Sequence, residues 1–483
     1  PLDQTISAIA ADKLIKKYSP RDGRLLYQFS AGTATDVNQA VASAQAAFND
    51  GRWRKLPVQQ RKTVLKKLAD LIEANQETFA LYECLDVGKP IAKALAGDIP
   101  TAAARLRDAA EKADKLLSPS GCDGGHCAYQ RRKPVGVVGA IIGWNYPLSM
   151  ACGKVGPALA TGNCRVLKPS EFTALSASLL ATLAIEAGVP PGVFNVVNGA
   201  GATVGAALAQ HPDIDLLAFV GSSATGKQIM IAAGQSNMKR LQLECGGKSP
   251  YLVFNDCPTD LDAIATDIVN RTFANQGAVC VASTRLLIQE DIKAKLLPKI
   301  LEQTAQIQPG DPLDPATRFG ALVNETHLNK VLAYIDNGQK EGATVIHGGK
   351  RVYPELTDPC GEGFYIEPTV FDMVKPRQKI AQEEIFGPVL SILTFNDEAE
   401  AIELANNTCF GLAAYAATEN LGRAQRLGEC LNAGRLTIIG SSTPSGGYVD
   451  LGGEKHKQSG FGYTGGLEGL AAYTTTTTVH IQT

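Results

Sequence analysis

Small apolar residues recur at helical spacing along Asp36–Asn49 (DVNQAVASAQAAFN), behind an aspartate that can cap a helix. The same period runs through Gln59–Asn75 and Pro100–Leu117 and predicts two long surface helices. Ala128–Pro134 (AYQRRKP) is polar and strand-like, and it leads into Val135–Ile142 (VGVVGAII), a continuous apolar run of the kind buried on both faces. From there strand and helix patterns alternate. Strands are predicted at Cys164–Leu167, Val193–Val197 and Leu216–Val220, and helices at Ala174–Ala187, Ala200–Gln210 and Ala224–Ala233. After Pro250 a second block has strands at Tyr251–Phe254, Thr284–Gln289 and Val389–Phe395 and helices at Leu261–Ala274, Ile292–Thr304 and Glu325–Glu341. Apolar, β-branched strands alternating with helices predict parallel α/β sheets, with a domain boundary near Gly246–Pro250. Thr474–Thr478 reads as a β-branched strand.

Composition narrows the class. The chain has 483 residues, enough for two to four domains, and its 45% hydrophobic and 19% charged content excludes wholesale disorder. Lys+Arg 46 against Asp+Glu 48, with no basic block, leaves no footprint for nucleic acid or an anionic membrane. Pro1–Lys17 lacks the order of a secretory signal, and Val135–Ile142 is too short to span a bilayer. Eleven scattered cysteines with no C-x-x-C pair fit reduced thiols in the cytoplasm. Cys122, His126 and Cys127 come nearest to a metal pattern, but no second ligand pair follows, so no metal is expected.

Five short segments could carry chemistry. In Ala274–Arg285 (ANQGAVCVASTR), Cys280 lies in a loop whose free backbone N–H groups can favour the thiolate, the form that acts as a nucleophile. The commoner role of a cysteine is a small buried hydrophobe. In Leu243–Pro250 (LECGGKSP), Glu244 closes an apolar strand, where partial desolvation would raise its pKa toward that of a general base; an ordinary strand-end glutamate is the plainer reading. Asn145 in Gly143–Pro147 (GWNYP) stands at the end of a buried strand, where an amide can face a developing oxyanion or simply make a turn. Lys168 and Glu171 in Leu167–Glu171 (LKPSE) suit ribose hydroxyls, and Gly221-Ser222 in Phe219–Gly226 (FVGSSATG) opens a helix that suits a pyrophosphate. The Gly199/Gly201/Gly205 set mimics a dinucleotide fingerprint more closely but reads as a loop and helix start.

Singly these signals are weak, whereas their order is specific. With GPALATGN (Gly156–Asn163), EEIFGPV (Glu383–Val389) and KQSGFG (Lys457–Gly462), they make the chain resemble the aldehyde dehydrogenase superfamily from about Ser19 to the C-terminus. The resemblance implies a Rossmann-like NAD-binding domain from residues 1–115 and 136–246, a second α/β catalytic domain over 247–458, and oligomerisation strands at 116–135 and 468–483 in a homodimer or homotetramer. It implies Cys280 as nucleophile, Glu244 as base for the deacylating water, Asn145 as oxyanion amide and Lys154 in a proton relay. Trp144, Lys168, Ser170, Glu171, Gly221, Ser222, Glu384 and Phe386 match cofactor-binding positions. The implied course is thiolate attack on an aldehyde, a thiohemiacetal, hydride transfer to the nicotinamide, a thioester and its hydrolysis. NAD is expected over NADP, because Glu171 would face a 2′-phosphate.

The chain also departs from the family pattern. A relay glutamate is replaced by Thr464, a late asparagine by Ile439, and the spacing from Gly452-Gly453 to Ser459 is two residues longer than usual. Gly153 stands where a tryptophan often precedes the lysine, which predicts a roomier pocket together with Tyr146, Val279 and Val281. No cationic anchor is apparent and an aromatic box looks incomplete, so a medium-sized apolar or aromatic aldehyde is expected ahead of amino- or betaine-aldehydes. A CoA-acylating enzyme and a catalytically silent relative are the competing readings. The retained Glu244, and the set Cys280, Asn145 and Glu244, argue against each in turn.

Overall fold

The computed structural model describes residues 14–123, 126–359, 361–440 and 452–482. Two α/β sheets organise them. The first has six strands in the order Gly460–Phe461, Arg240–Glu244, Leu216–Val220, Val137–Ile141, Cys164–Lys168 and Phe194–Val196. All pairs are parallel except the Gly460–Phe461 edge. Every residue of Val137–Ile141 and Cys164–Lys168 is buried, as expected of strands covered on both faces by helices. Val137, Ala140, Val166 and Leu217 share one core with Leu65 and Leu68 of helix Val58–Ala74, Leu106 of Ile99–Lys112 and Val155 of Pro147–Ala160.

The second sheet runs Thr344–His347, Thr369–Asp372, Val389–Phe395, Arg285–Gln289, Pro250–Val253, Ala414–Ala417 and Leu436–Ile439, with only the Thr344–His347 edge antiparallel. Side chains alternate between two cores. Leu252, Leu287 and Leu393 face Leu328, Val331 and Ile335, while Tyr251, Val253, Leu286 and Ile288 face Ile264, Ile268, Leu296 and Ile300. A third, antiparallel sheet pairs Thr474–Gln482 with His126–Pro134, which in turn pairs with Ser120–Asp123.

The sequence-predicted elements are present with shifted ends. Helix Ala34–Asp50 is capped by Thr33, not Asp36; the Asp36 carboxylate answers as the other half of a capping box, 2.7 Å from the Thr33 amide. The helix expected to reach Leu117 stops at Lys112, and Leu117 is 81% exposed, so its apolar character never joined the packed face. Nor are these helices purely superficial. Leu65, Leu68, Ala102, Ala103 and Leu106 are fully buried where Val58–Ala74, Ile99–Lys112 and Pro147–Ala160 pack together. Helices Gln76–Val87 and Pro147–Ala160 were not anticipated. Cys127 is disulfide-bonded, contrary to uniformly reduced thiols; the antiparallel register sets Cys122 opposite it, although the Cys122 side chain lies outside the described residues. Among the described residues no helix is long and apolar enough to cross a membrane, and no group of three potential ligands could hold a metal.

Candidate active site

Four neighbouring parallel strands of the first sheet end on one side, and each delivers a singled-out segment there. Val137–Ile141 leads to Trp144 and Asn145, Cys164–Lys168 to Lys168 and Glu171, Leu216–Val220 to Gly221-Ser222, and Arg240–Glu244 to Gly246-Gly247. The chain leaves Val137–Ile141 for Cys164–Lys168 on one flank and returns to Leu216–Val220 on the other, which makes this a topological switch point, where open α/β sheets form their crevice.

On one arm of the crevice, buried Lys168 donates to the Pro169 carbonyl at 2.7 Å and to Glu171 Oε2 at 3.1 Å. Burial pushes the Glu171 carboxyl up, and Lys168 and the Gly201 amide outweigh it, so the carboxyl is held below its ordinary range and stays ionised. Ser170 is 7% exposed, and its hydroxyl accepts from the Phe172 amide at 3.3 Å within the bend. Ser222 caps helix Ser223–Gln235 by accepting from the Thr225 amide, leaving the helix's positive end at the crevice. Gly221 has no room for a Cβ, which would lie 2.6 Å from the Phe219 ring.

On the other arm, the Gly247 amide donates to Glu384 Oε1 at 3.1 Å, and a Cβ on Gly246 would collide with the same carboxylate. Burial raises the Glu384 carboxyl. Phe386 adopts a left-handed backbone (φ 60°), and its carbonyl accepts from His327 Nε2 at 2.8 Å. Burial lowers His327 to about 4, so it is a neutral donor near pH 7. Trp144 sits edge-on to both rings, 5.1 Å from His327 and 5.3 Å from Phe386.

The Cys280 loop abuts the second arm at Gly387 and the strand ends at Asn145 and Gly247. Asn275, Gln276 and Gly277 are all left-handed (φ 48°, 56° and 73°), an unusual run for two residues with side chains. A Cβ on Gly277 would meet the Gly387 carbonyl, and one on Gly247 would meet the Cys280 carbonyl, so both backbones must pass here bare. Asn145, 4% exposed, donates Nδ2 to the Ala278 carbonyl at 2.8 Å. Its own carbonyl takes two donors at 2.9 Å, Lys89 Nζ and Asn275 Nδ2. Lys89 is buried between Asp98 and Glu83 and stands 4.3 Å above the Tyr146 ring centre. The expected lowering of the thiol does not occur. Burial, then Glu384 and Glu244, push Cys280 up to about 12 against the loop's backbone donors.

Glu244 also differs from expectation. Burial favours its neutral form, but Lys154 and Lys455 outweigh that, and hydrogen bonds from Lys154 and Thr464 add to them, so the carboxyl falls to about 2 instead of rising. Lys154 forms a direct ion pair with Glu244, and the Thr464 hydroxyl donates to the same Oε1 at 2.8 Å. Lys154 therefore has a partner despite the missing relay glutamate. Gly153, in the same helix, does not leave open space: a Cβ there would run into the Arg105 guanidinium. Val281 packs against the core around Phe273 and Tyr415, and its carbonyl accepts from Tyr415 at 2.9 Å. Val279 is half-buried beside Cys280. Lys455, Lys89, His327 and Arg105 were not singled out by sequence; for Lys455 the longer spacing before Ser459 was the available signal.

Residues 8–479 match the sequence profile of the aldehyde dehydrogenase family. The chain belongs to the aldehyde dehydrogenase family. Relatives bear this out over nearly the full length. An aminoacetaldehyde dehydrogenase of Pseudomonas aeruginosa is 44% identical, covering 92% of this chain and 87% of that one. The NADP/NAD-dependent aldehyde dehydrogenase PuuC of Escherichia coli is 42% identical, covering 98% and 94%. A crystal structure of an indole-3-acetaldehyde dehydrogenase complexed with NAD+ superposes with a TM-score of 0.93 at 46% identity, covering 99% of this chain and 94% of that one. In this aldehyde dehydrogenase the crevice thus joins an ionised carboxylate, a helix N-terminus, a buried carboxylate and a thiol.

Proposed function

We propose that this aldehyde dehydrogenase oxidises an aldehyde to its carboxylic acid with NAD, through a thiohemiacetal and then a thioester on Cys280. The observation that carries the reading is a buried Cys280 thiol, in a loop tied to Asn145, that feels both the Glu384 and the Glu244 carboxylates. In this account the Cys280 thiol gives its proton to solvent, the thiolate Sγ attacks the carbonyl carbon, and the Asn145 amide with the Cys280 N–H holds the oxyanion. A bound nicotinamide supplies the hydride acceptor. Glu244 then takes a proton from a water that adds to the acyl carbon, and Cys280 leaves as thiolate.

The crevice fits a dinucleotide on its own features: bare glycines at Gly221 and Gly246, a capped helix end at Ser222, and carboxylates on both arms. Glu171 and Lys168 would hold the adenosine ribose, Gly221 and Ser222 the pyrophosphate, Glu384 the second ribose, and Phe386 and Trp144 the far ring. Ser170 contributes through the bend. The ionised Glu171 favours NAD over NADP. The domain division at 246–247, a homo-oligomer built through the Thr474–Gln482 edge strand, and a cytoplasmic location belong to the same reading.

For the substrate we favour a medium-sized apolar or aromatic aldehyde. No tryptophan completes an aromatic box: Trp53 is fully buried with its indole N–H on the Leu159 carbonyl, and Trp144 lies with Phe386. NADH release from a panel of aldehydes, with and without CoA, tests this. Acid formation independent of CoA is expected, with kcat/KM rising about four-fold, or about 0.8 kcal/mol, for each methylene that is buried. A CoA requirement with an acyl-CoA product, or a clear preference for betaine aldehyde, contradicts it.

A further inference from the structure

Residues 453–464 fold as a small ribbon against Glu244. Gly453–Glu454 pairs antiparallel with Tyr463–Thr464, and Gly460–Phe461 pairs with Leu243 and Glu244. Between them the chain carries two lysines with opposite fates. Lys457 turns outward to the Asn406 and Thr408 carbonyls at 2.7 and 3.0 Å. Lys455 turns inward and is 7% exposed. It donates to the Gly462 carbonyl at 2.9 Å and to the Thr464 hydroxyl, and its Nζ stands 4.0 Å from Glu244 Oε1.

We propose that Lys455 is a positioning residue that, through Thr464, clamps the Glu244 carboxylate and sets how readily it accepts a proton during thioester hydrolysis. This rests on Glu244 being the hydrolytic base. The geometry gives the clamp its direction. A charged Lys455 occupies the Thr464 oxygen as donor, so the single Thr464 proton points at Glu244. With Lys154 on the same oxygen, the carboxylate faces two cations and one hydroxyl. A carboxylate so satisfied is a weak base, and releasing one cation strengthens it. The charged or titratable groups around Lys455 are Glu244, Lys154, Cys280 and Glu454. Burial lowers Lys455 to about 8 despite Glu244, so its proton is lost just above neutrality, and Glu244 becomes the stronger base as pH rises through that point.

The test is the lifetime of the acylated full-length protein, followed by intact mass after hexanal and NAD are mixed with it and free aldehyde is trapped with semicarbazide. In the unsubstituted protein the lifetime shortens several-fold as pH rises from about 7 to about 9, following loss of the Lys455 proton. Lys455→Met is expected to shorten it at pH 7 and to abolish that acceleration. Lys455→Arg, permanently charged, is expected to keep the long lifetime at both pH values. Unchanged pH dependence in Lys455→Met or Lys455→Arg, while Glu244→Gln lengthens the lifetime, overturns the role of Lys455 alone. An unchanged lifetime in Glu244→Gln removes the base itself, and this proposal with it.

Discussion

Asn145 donates its side-chain amide to the Ala278 carbonyl across 2.8 Å, tying the end of a strand in the first sheet to the loop that carries Cys280. With the Asn275 side-chain amide returning to the Asn145 carbonyl at 2.9 Å, two bonds hold the Cys280 loop to that strand end. Asn145→Ala is expected to lower kcat by about 10²–10³-fold, while stability falls by only about 1–2 kcal/mol. Single-turnover NADH formation beside urea unfolding separates the two. A loss of activity below about ten-fold would remove Asn145 from the oxyanion site.

Gly277→Ala tests the strained loop. The residue has φ 73° and no room for a Cβ against the Gly387 carbonyl. A loss of about 2 kcal/mol or more is expected in urea unfolding, with activity falling further because Cys280 moves with the loop. Full stability in this variant would mean that the Gly387 backbone yields freely.

Strand–helix alternation and the strand-end motifs were legible because burial on both faces leaves continuous apolar runs such as Val137–Ile141. Element ends were less so, because a cap is decided by which side chain reaches an amide: Asp36 looked like the cap and Thr33 is one. The site's electrostatics were not legible. Cys280 is raised first by its burial and then by Glu384 and Glu244, and Glu244 is lowered by Lys154 and Lys455 against its own burial; these depend on residues distant in the chain, and both shifts run opposite to what the local sequence suggested. Gly153 misled for the same reason, since the space it vacates is taken by Arg105 from another helix.

Cofactor choice is expected to follow Glu171. Glu171→Gln removes the charge that faces a 2′-phosphate while keeping Lys168 in place. The NADP-to-NAD ratio of kcat/KM should rise by about ten-fold, or about 1.4 kcal/mol. A ratio that does not move would place the 2′ position away from this carboxylate.

Thiol reactivity without cofactor should report the burial of Cys280. With the thiol pushed up to about 12, its thiolate fraction, and hence its alkylation by iodoacetamide, rises about ten-fold per pH unit across the alkaline range with no plateau near 9. A plateau there would show an ordinary, solvated thiol.

The covalent course is tested most directly by intact mass after acid quench within the first turnovers with hexanal and NAD. Glu244→Gln should accumulate an acyl adduct on Cys280, close to one per site, with an NADH burst of the same size and slow turnover after it. Cys280→Ala should show neither adduct nor burst while still binding NAD. An acyl adduct on another residue, or sustained NADH formation by Cys280→Ala, would contradict the account.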